Sequence, residues 1–324
     1  MKSFAFALTF GAVSALHSLE FEYMNYLATF GKTMNDIEEF EARLENYVAT
    51  DLEIKRINES QDMHRAAHNQ FSDWSQEEYR SILGLKEFEA QNGEEIPITV
   101  FDESANAETV NWVTAGGVTG VKDQGSCGSC WSFSSTGAME GAHFIRTGQL
   151  LSFSEQQLVD CATSGNMGCN GGNPIYSYYY YEGAGAIEEG TYPYTSGRGD
   201  DSLPCYASYY SDSGVRVSNF AQVSSSPSQM KAALTQQPLA VLVEADQRSF
   251  QTYSSGVLMS SQCGTNLDHA VLAVGYGNEN GTDYWLVKNS WNTWWGDAGY
   301  IKLEMDSGNG ACGVQMGPSY PTTN

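Results

Sequence analysis

No cysteine occurs before residue 127 of this 324-residue chain. Its longest apolar stretch, Phe4 to Val13, is far short of the roughly 20 residues that cross a bilayer as a helix. Basic residues are scarce: 16 Lys and Arg stand against 39 Asp and Glu, a net charge of −23. Nucleic acid and anionic membranes are held by clustered cations, so neither is expected as a partner. Histidine is scarcer still, with five in the chain and only His143 and His269 beyond residue 106. No close second pair of Cys or His exists to complete a zinc site, so no metal is expected. The acidic surplus fits plain solubility, and it fits an acidic compartment where protonation relieves self-repulsion. The sequence leaves both open.

What is present is a folded composition, 41% hydrophobic and 17% charged, in a chain long enough for two or three units. Lys2, the apolar stretch and the small residues Val13-Ser14-Ala15 predict a secretory signal over 1–15. That places the protein in the secretory pathway, bound for the extracellular space or a lysosome-like acidic compartment. The seven cysteines stand at 127, 130, 161, 169, 205, 263 and 312; an odd count in a secreted chain leaves one thiol free.

One of them, Cys130, lies in Gln124-Gly125-Ser126-Cys127-Gly128-Ser129-Cys130-Trp131 and opens a helical pattern over 130–142. His269 follows 139 residues later and Asn289 another 20 after that, within Lys288-Asn289-Ser290-Trp291. A thiol is a weak nucleophile and a thiolate a strong one. A helix N-terminus and a neighbouring imidazolium both stabilise the thiolate. The C-G-[SA]-C-[WY] string, with its histidine about 130–150 residues downstream, is a known cysteine-protease signature. On these residues the chain resembles the papain-like cysteine peptidases, and the resemblance extends upstream. Glu39, Arg43, Tyr47, Thr50, Ile54 and Asn58 resemble the E-x3-R-x3-F-x2-N-x3-I-x3-N helix of cathepsin L-like propeptides, with Tyr47 for Phe and Thr50 for Asn. Ala67-His68-Asn69-Gln70-Phe71-Ser72-Asp73 resembles their G-x-N-x-F-x-D motif, with Ala67 for Gly.

The resemblance implies an α+β, papain-like two-lobe fold: a helical lobe, an antiparallel β-barrel-like lobe and an active-site cleft between them. A helical inhibitory propeptide over 16–105 precedes a mature domain over 106–324, with processing near Ser104–Glu108. In the family the propeptide threads the cleft backwards relative to substrate, expected here over the weakly patterned residues 86–106. The local signals agree with two lobes. Ser154-Glu155-Gln156-Gln157 reads as a capping box, and 174–183 as a tyrosine-rich helix. Pro227 opens a helix, and short runs at 239–243, 270–276, 284–288 and 300–303 read as strands.

By the same resemblance Cys130 is the nucleophile and His269 the general base and acid. Asn289 orients the imidazole, and Gln124 donates to the oxyanion. Gly171 and Gly172 let substrate backbone approach. Asn173, Pro174, Leu242, Ala270 and Gly317 form a pocket for a bulky apolar or aromatic side chain two residues before the cut. Asp268 flanks the histidine and Trp291 covers its hydrogen bond to Asn289. The implied disulfides are Cys127–Cys169, Cys161–Cys205 and Cys263–Cys312. No cofactor is implied; the partners are protein and peptide substrates, the chain's own propeptide and cystatin-type inhibitors, for a monomer. The lack of paired histidines to hold a substrate C-terminus favours an endopeptidase.

Two other functions compete. Cys127-Gly128-Ser129-Cys130 is also a C-x-x-C, as in thiol–disulfide oxidoreductases, but these need neither His269 nor Asn289. A catalytically silent binding relative would have lost the cysteine or the histidine. Asn58-Glu59-Ser60 and Asn280-Gly281-Thr282 fit the glycosylation pattern.

Overall fold

A computed structural model describes residues 19–90, 95–199 and 204–324; the signal expected over 1–15 lies outside them. The first segment forms helix α1 over 19–29, then α2 (Ile37–Ser60), strand β1 (His64–Ala66), α3 (Gln76–Ser81) and β2 (Ile98–Thr99). Each start is written in the side chains. Asp36 accepts from the Glu39 N–H to open α2, and Ser75 with Glu78 closes a reciprocal capping box on α3. Tyr23, Tyr26, Leu27 and Tyr47 bury a small core where α1 crosses α2.

The propeptide-like motif is read out along α2. Arg43 bonds Glu39 at 3.3 Å and Glu78 at 2.7 Å. Thr50 is buried with its hydroxyl 3.4 Å from an Arg248 guanidinium nitrogen, so the departure from Asn keeps a polar contact. Asn58 clasps both backbone groups of Ala66 at 2.9 Å. Its amide is therefore engaged inside the fold, whereas Asn280 sits exposed at a hairpin tip. Asp73 is buried under Tyr26, Tyr23 and Lys32.

The second segment contains β3 (Val110–Asn111), α4 (Cys130–Thr147), α5 (Glu155–Cys161), α6 (Pro174–Gly183), β4 (Val217–Val223), α7 (Pro227–Gln236) and β5 (Leu239–Val243). It continues with α8 (Arg248–Gln251), β6 (Tyr253–Leu258), β7 (His269–Glu279), β8 (Thr282–Lys288), β9 (Tyr300–Glu304) and β10 (Ser319–Thr323). Helices α4, α5 and α6 surround Trp131, Phe153, Leu158, Tyr178 and Tyr181. Helix α4 runs five residues past its expected end. Gly148 stops it in a left-handed turn (φ 76°) and returns its N–H to Phe144. His143 is accordingly inside this helix, buried against Phe153. The cap of α5 is half of the expected box. Ser154 accepts from the Gln157 N–H, but the Gln157 side chain turns inward to Gly185 and Ile187.

The strands join one sheet in the order β1-β6-β9-β8-β7-β5-β10-β4-β2, with β3 on β7. It is not purely antiparallel: β6 pairs with β9, and β2 with β4, in parallel. The β7–β8 hairpin separates β6 from β9, so the chain can return in the same direction. Both outer strands, β1 and β2, come from the first segment, which thus caps the sheet at both ends. The three disulfides pair as expected, and Cys130 is the free cysteine.

Candidate active site

Cys130 begins α4 on the helical side, and His269 begins β7 on the sheet side. Cys130 and Ala270, the neighbour of His269, meet across the seam, where the Ala270 N–H points at the sulfur. Both side chains are fully buried. His269 Nε2 lies 2.8 Å from the Asn289 side-chain oxygen, and Trp291 stacks on the imidazole with centroids 4.6 Å apart. Nδ1 has no hydrogen-bond partner among the described residues. Asn289 therefore fixes the ring through one nitrogen and leaves the other available to a thiol.

Gln124 is completely buried, with its side chain held from behind. Its Oε1 accepts from Ser290 Oγ at 2.7 Å and Trp291 Nε1 at 3.1 Å, which turns Nε2 outward as a donor. Ser290 was not singled out in the sequence, although it sits between two residues that were. Tyr194 braces the same loop, its hydroxyl 2.8 Å from Ser129 Oγ and donating to the Gln124 carbonyl at 2.9 Å.

The cleft is occupied by the chain itself, from Ile82 onward, four residues earlier than the weakly patterned stretch predicted. Gln124 Nε2 donates to the Ile82 carbonyl at 2.9 Å. Gly172 N–H donates to the Gly84 carbonyl, and Lys86 N–H to the Gly172 carbonyl, both at 2.8 Å. Leu85 N–H reaches the Asp268 carbonyl at 3.0 Å, and Asn173 Nδ2 reaches the Lys86 carbonyl at 2.9 Å. The Leu85–Gly172 bridge is parallel. Gly84 is where a side chain has no room: a Cβ there would lie 1.9 Å from the Gly128 carbonyl oxygen. The two glycines facing it differ. A Cβ on Gly171 would strike the Gly84 oxygen at 2.5 Å, whereas one on Gly172 would strike Asn166 at 2.2 Å. Gly171 is also held at φ 108°, which calls for glycine whether or not the cleft is filled.

Leu242, Gly317, Pro174 and Asn173 line one groove with Asp268, and Leu85 and Phe88 of the strap form its other wall. Asn173 also caps α6, which leaves its amide nitrogen for the strap. Ala270 pairs directly with Leu242 and so shares its face of the sheet, while the run Ala270–Leu272 also borders a small internal cavity behind the nucleophile helix.

Electrostatics in the occupied cleft run against the expected ion pair. Burial pushes the Cys130 thiol up to about 11, against the pull of the backbone N–H groups of Ala270, Gly84 and Trp131. Burial pushes His269 down to about 4, against the hydrogen bond from Asn289. Burial in the closed cleft therefore favours the neutral form of each group. Burial, with Asp246 and Glu244 nearby, likewise raises Asp268 to about 7, although backbone N–H groups oppose it. Cys127 is bonded to Cys169, so the C-x-x-C is no dithiol and the oxidoreductase alternative is overturned. Among the described residues no cluster of His, Cys, Asp and Glu could hold a metal ion, and no helix is long and apolar enough to cross a membrane.

Comparison with known proteins agrees with this arrangement. Residues 106–322 match the model of the papain family cysteine proteases, and residues 23–79 that of the cathepsin propeptide inhibitor domain. The chain is 40% identical over 338 residues to a cathepsin L-like peptidase of Aedes aegypti, covering 98% of this chain and 97% of the relative. It is 44% identical over 266 residues to a protein of Arabidopsis thaliana described as "Probable cysteine protease RD21B". That match covers 78% of this chain and 54% of the plant protein, so the chain spans about half the length of that relative. The structure of digestive procathepsin L 3 from Tenebrio molitor larval midgut superposes with a TM-score of 0.81 at 32% identity, over 94% of this chain and 99% of that one. The chain belongs to the papain family of cysteine proteases, with a cathepsin propeptide inhibitor domain joined ahead of the protease domain.

Proposed function

We propose that this chain is the zymogen of a cathepsin L-like cysteine endopeptidase, inhibited by its own first segment over 16–105 and released as a domain over 106–324 by cutting near Ser104–Glu108. The observation that carries the reading is the strap. Its parallel sense directs the N–H of Gly84 at the Cys130 sulfur. A nucleophile facing an N–H has no carbonyl carbon to attack, so the strap blocks the cleft without being cut.

In the released enzyme, water returns to the seam and the ion pair becomes affordable. Cys130 Sγ then attacks the scissile carbonyl, and the oxygen takes the negative charge. Gln124 Nε2, freed from Ile82, and the backbone N–H of Cys130 receive that oxyanion. His269 gives its proton to the leaving amine, and the acyl-enzyme is then hydrolysed by a water that His269 activates. Asn289 holds the ring throughout, and Trp291 shields that bond. Substrate runs opposite to the strap, pairing with Gly172 beside Gly171. The apolar walls of Leu242 and Pro174, with Gly317 beneath, support a bulky apolar or aromatic side chain two residues before the cut.

Three disulfides support synthesis in the secretory pathway for delivery to an acidic or extracellular space. There the enzyme works as a monomer on proteins and peptides and is open to cystatin-type inhibitors. The test is labelling with an epoxide thiol inhibitor before and after acid activation, with peptide mapping. Modification of Cys130 only after activation, together with faster cleavage of a Phe than an Arg substrate at the pocket position, is the expected result. An unreactive Cys130 in the processed protein would mean a silent binding relative.

A further inference from the structure

Trp291 and Trp295 are fully buried, but Trp294 between them is 58% exposed. It is the one tryptophan among the described residues so exposed, and its ring contact is with the first segment: Phe30 meets it edge-on, centroids 5.7 Å apart. Together Thr29, Phe30 and Gln70 from the first segment, and Asp123, Asn292 and Trp294 from the protease, enclose a pocket of about 250 Å³. Gln70 Nε2 donates to the Trp291 carbonyl at 2.6 Å, so this contact continues directly into the wall of the cleft.

The pocket has a defined place along a bound peptide. It shares no residue with the Leu242–Gly317 groove. Asp123 precedes Gln124, and Asn292 follows Trp291, so the pocket adjoins the oxyanion donor and the histidine's cover. First-segment residues before Gly84 occupy that side: Ile82 at Gln124, and Tyr79 and Phe71 on Trp291. A substrate running the other way would lay its residues after the scissile bond there.

We propose that Trp294 is a specificity-determining residue of the released enzyme, forming with Asp123 and Asn292 a subsite that takes an aromatic side chain after the cut, with Phe30 as its occupant in the zymogen. The inference rests on the endopeptidase reading above. The choice of an aromatic side chain follows from the exposed ring face, which Phe30 meets edge-on. Asp123 stands beside it with one oxygen accepting from the Gly125 N–H at 2.9 Å and the other from Asn292 Nδ2 at 3.4 Å, which ties the two protease loops of the wall together.

The test uses the full chain, acid-activated and normalised by titration with an epoxide thiol inhibitor. Peptides differ only by Phe, Arg or Gly at each of the first three positions after the cut. A dye amide with no residue there serves as control. Phe should exceed Gly in kcat/KM by roughly three- to tenfold at one position, the range of an aromatic pair. Trp294→Gly should erase that ratio, Trp294→Phe should keep most of it, and the dye amide should be hydrolysed equally by all three. An unchanged Phe-to-Gly ratio in Trp294→Gly, or Arg preferred to Phe in the parent enzyme, would overturn the subsite. No hydrolysis of the dye amide by the parent enzyme would instead overturn the endopeptidase reading beneath it.

Discussion

The two segments are held together by different forces. The protease segment has two large apolar cores, one built around Trp285, Trp291 and Trp295, and all three disulfides. The first segment has no disulfide and two small cores. Phe71, Tyr79 and Ile82 anchor it in the larger protease core, and charged contacts do more of the work elsewhere: Asp73 under Lys32 and two tyrosines, Arg43 between Glu39 and Glu78, His68 against Asp51. If the proposed release is triggered by acid, the segment without disulfides and with the smaller cores of its own is the one expected to yield first.

The sharpest way to probe the enzyme side is Gln124→Ala. It should lower kcat about 10²–10³-fold, the usual cost of one oxyanion donor, while active-site labelling of Cys130 persists. Equal loss of labelling would show a collapsed site and not a missing donor. On the inhibitor side, Gly84→Ala sets a Cβ against backbone that cannot yield. Displacing the strap forfeits three main-chain hydrogen bonds worth about 1 kcal/mol each, or roughly 100-fold in inhibition. Dye-amide hydrolysis by the uncut variant at neutral pH measures it; a silent variant would show that the α1–α2 body alone closes the cleft.

A smaller effect is expected from His64→Phe. His64 is fully buried at the β1–β6 seam with neither ring nitrogen hydrogen-bonded, and burial, aided by Arg65, pushes it down to about 4. A histidine held neutral in the docked state stabilises docking fully above its free value near 6.5, and that stabilisation is lost as pH falls toward 4. Glu78 adds to the same trend. Burial raises it, but Arg43 and the Ser75 N–H outweigh burial and hold it below the usual range, so its contribution also fades on acidification. Removing the titrating ring should move the midpoint of acid activation down by about half a pH unit. Activation rates followed from pH 7 to 4 would show it, and an unmoved midpoint would assign the trigger to the carboxylates.

Much of the protease site was legible because chemistry restricts which residue types can do the work. Cys130, His269, Asn289 and Gln124 stand in strings whose spacing survives reading without coordinates. The end of α4 was legible too: Arg146 in the last turn and Gly148 just after it are stop signals, outweighed in the reading by the apolar pattern ending at Ala142. The start of the strap was hidden. Ile82 still closes α3, and Leu83-Gly84-Leu85-Lys86 has no period of its own; its extended form comes from pairing with Gly172 and Asp268, far away in sequence. The neutral state of Cys130 and His269 was hidden for a related reason. It belongs to neither residue but to their burial in the closed cleft.

The lock on the cleft is built from main-chain atoms and one missing side chain. It recognises a direction of travel and carries almost no message in letters. Apart from the glycine and the buried Ile82, its hold lies in backbone atoms that every residue carries, so kinship between such inhibitors should be sought in their course through the enzyme before it is sought in their spelling.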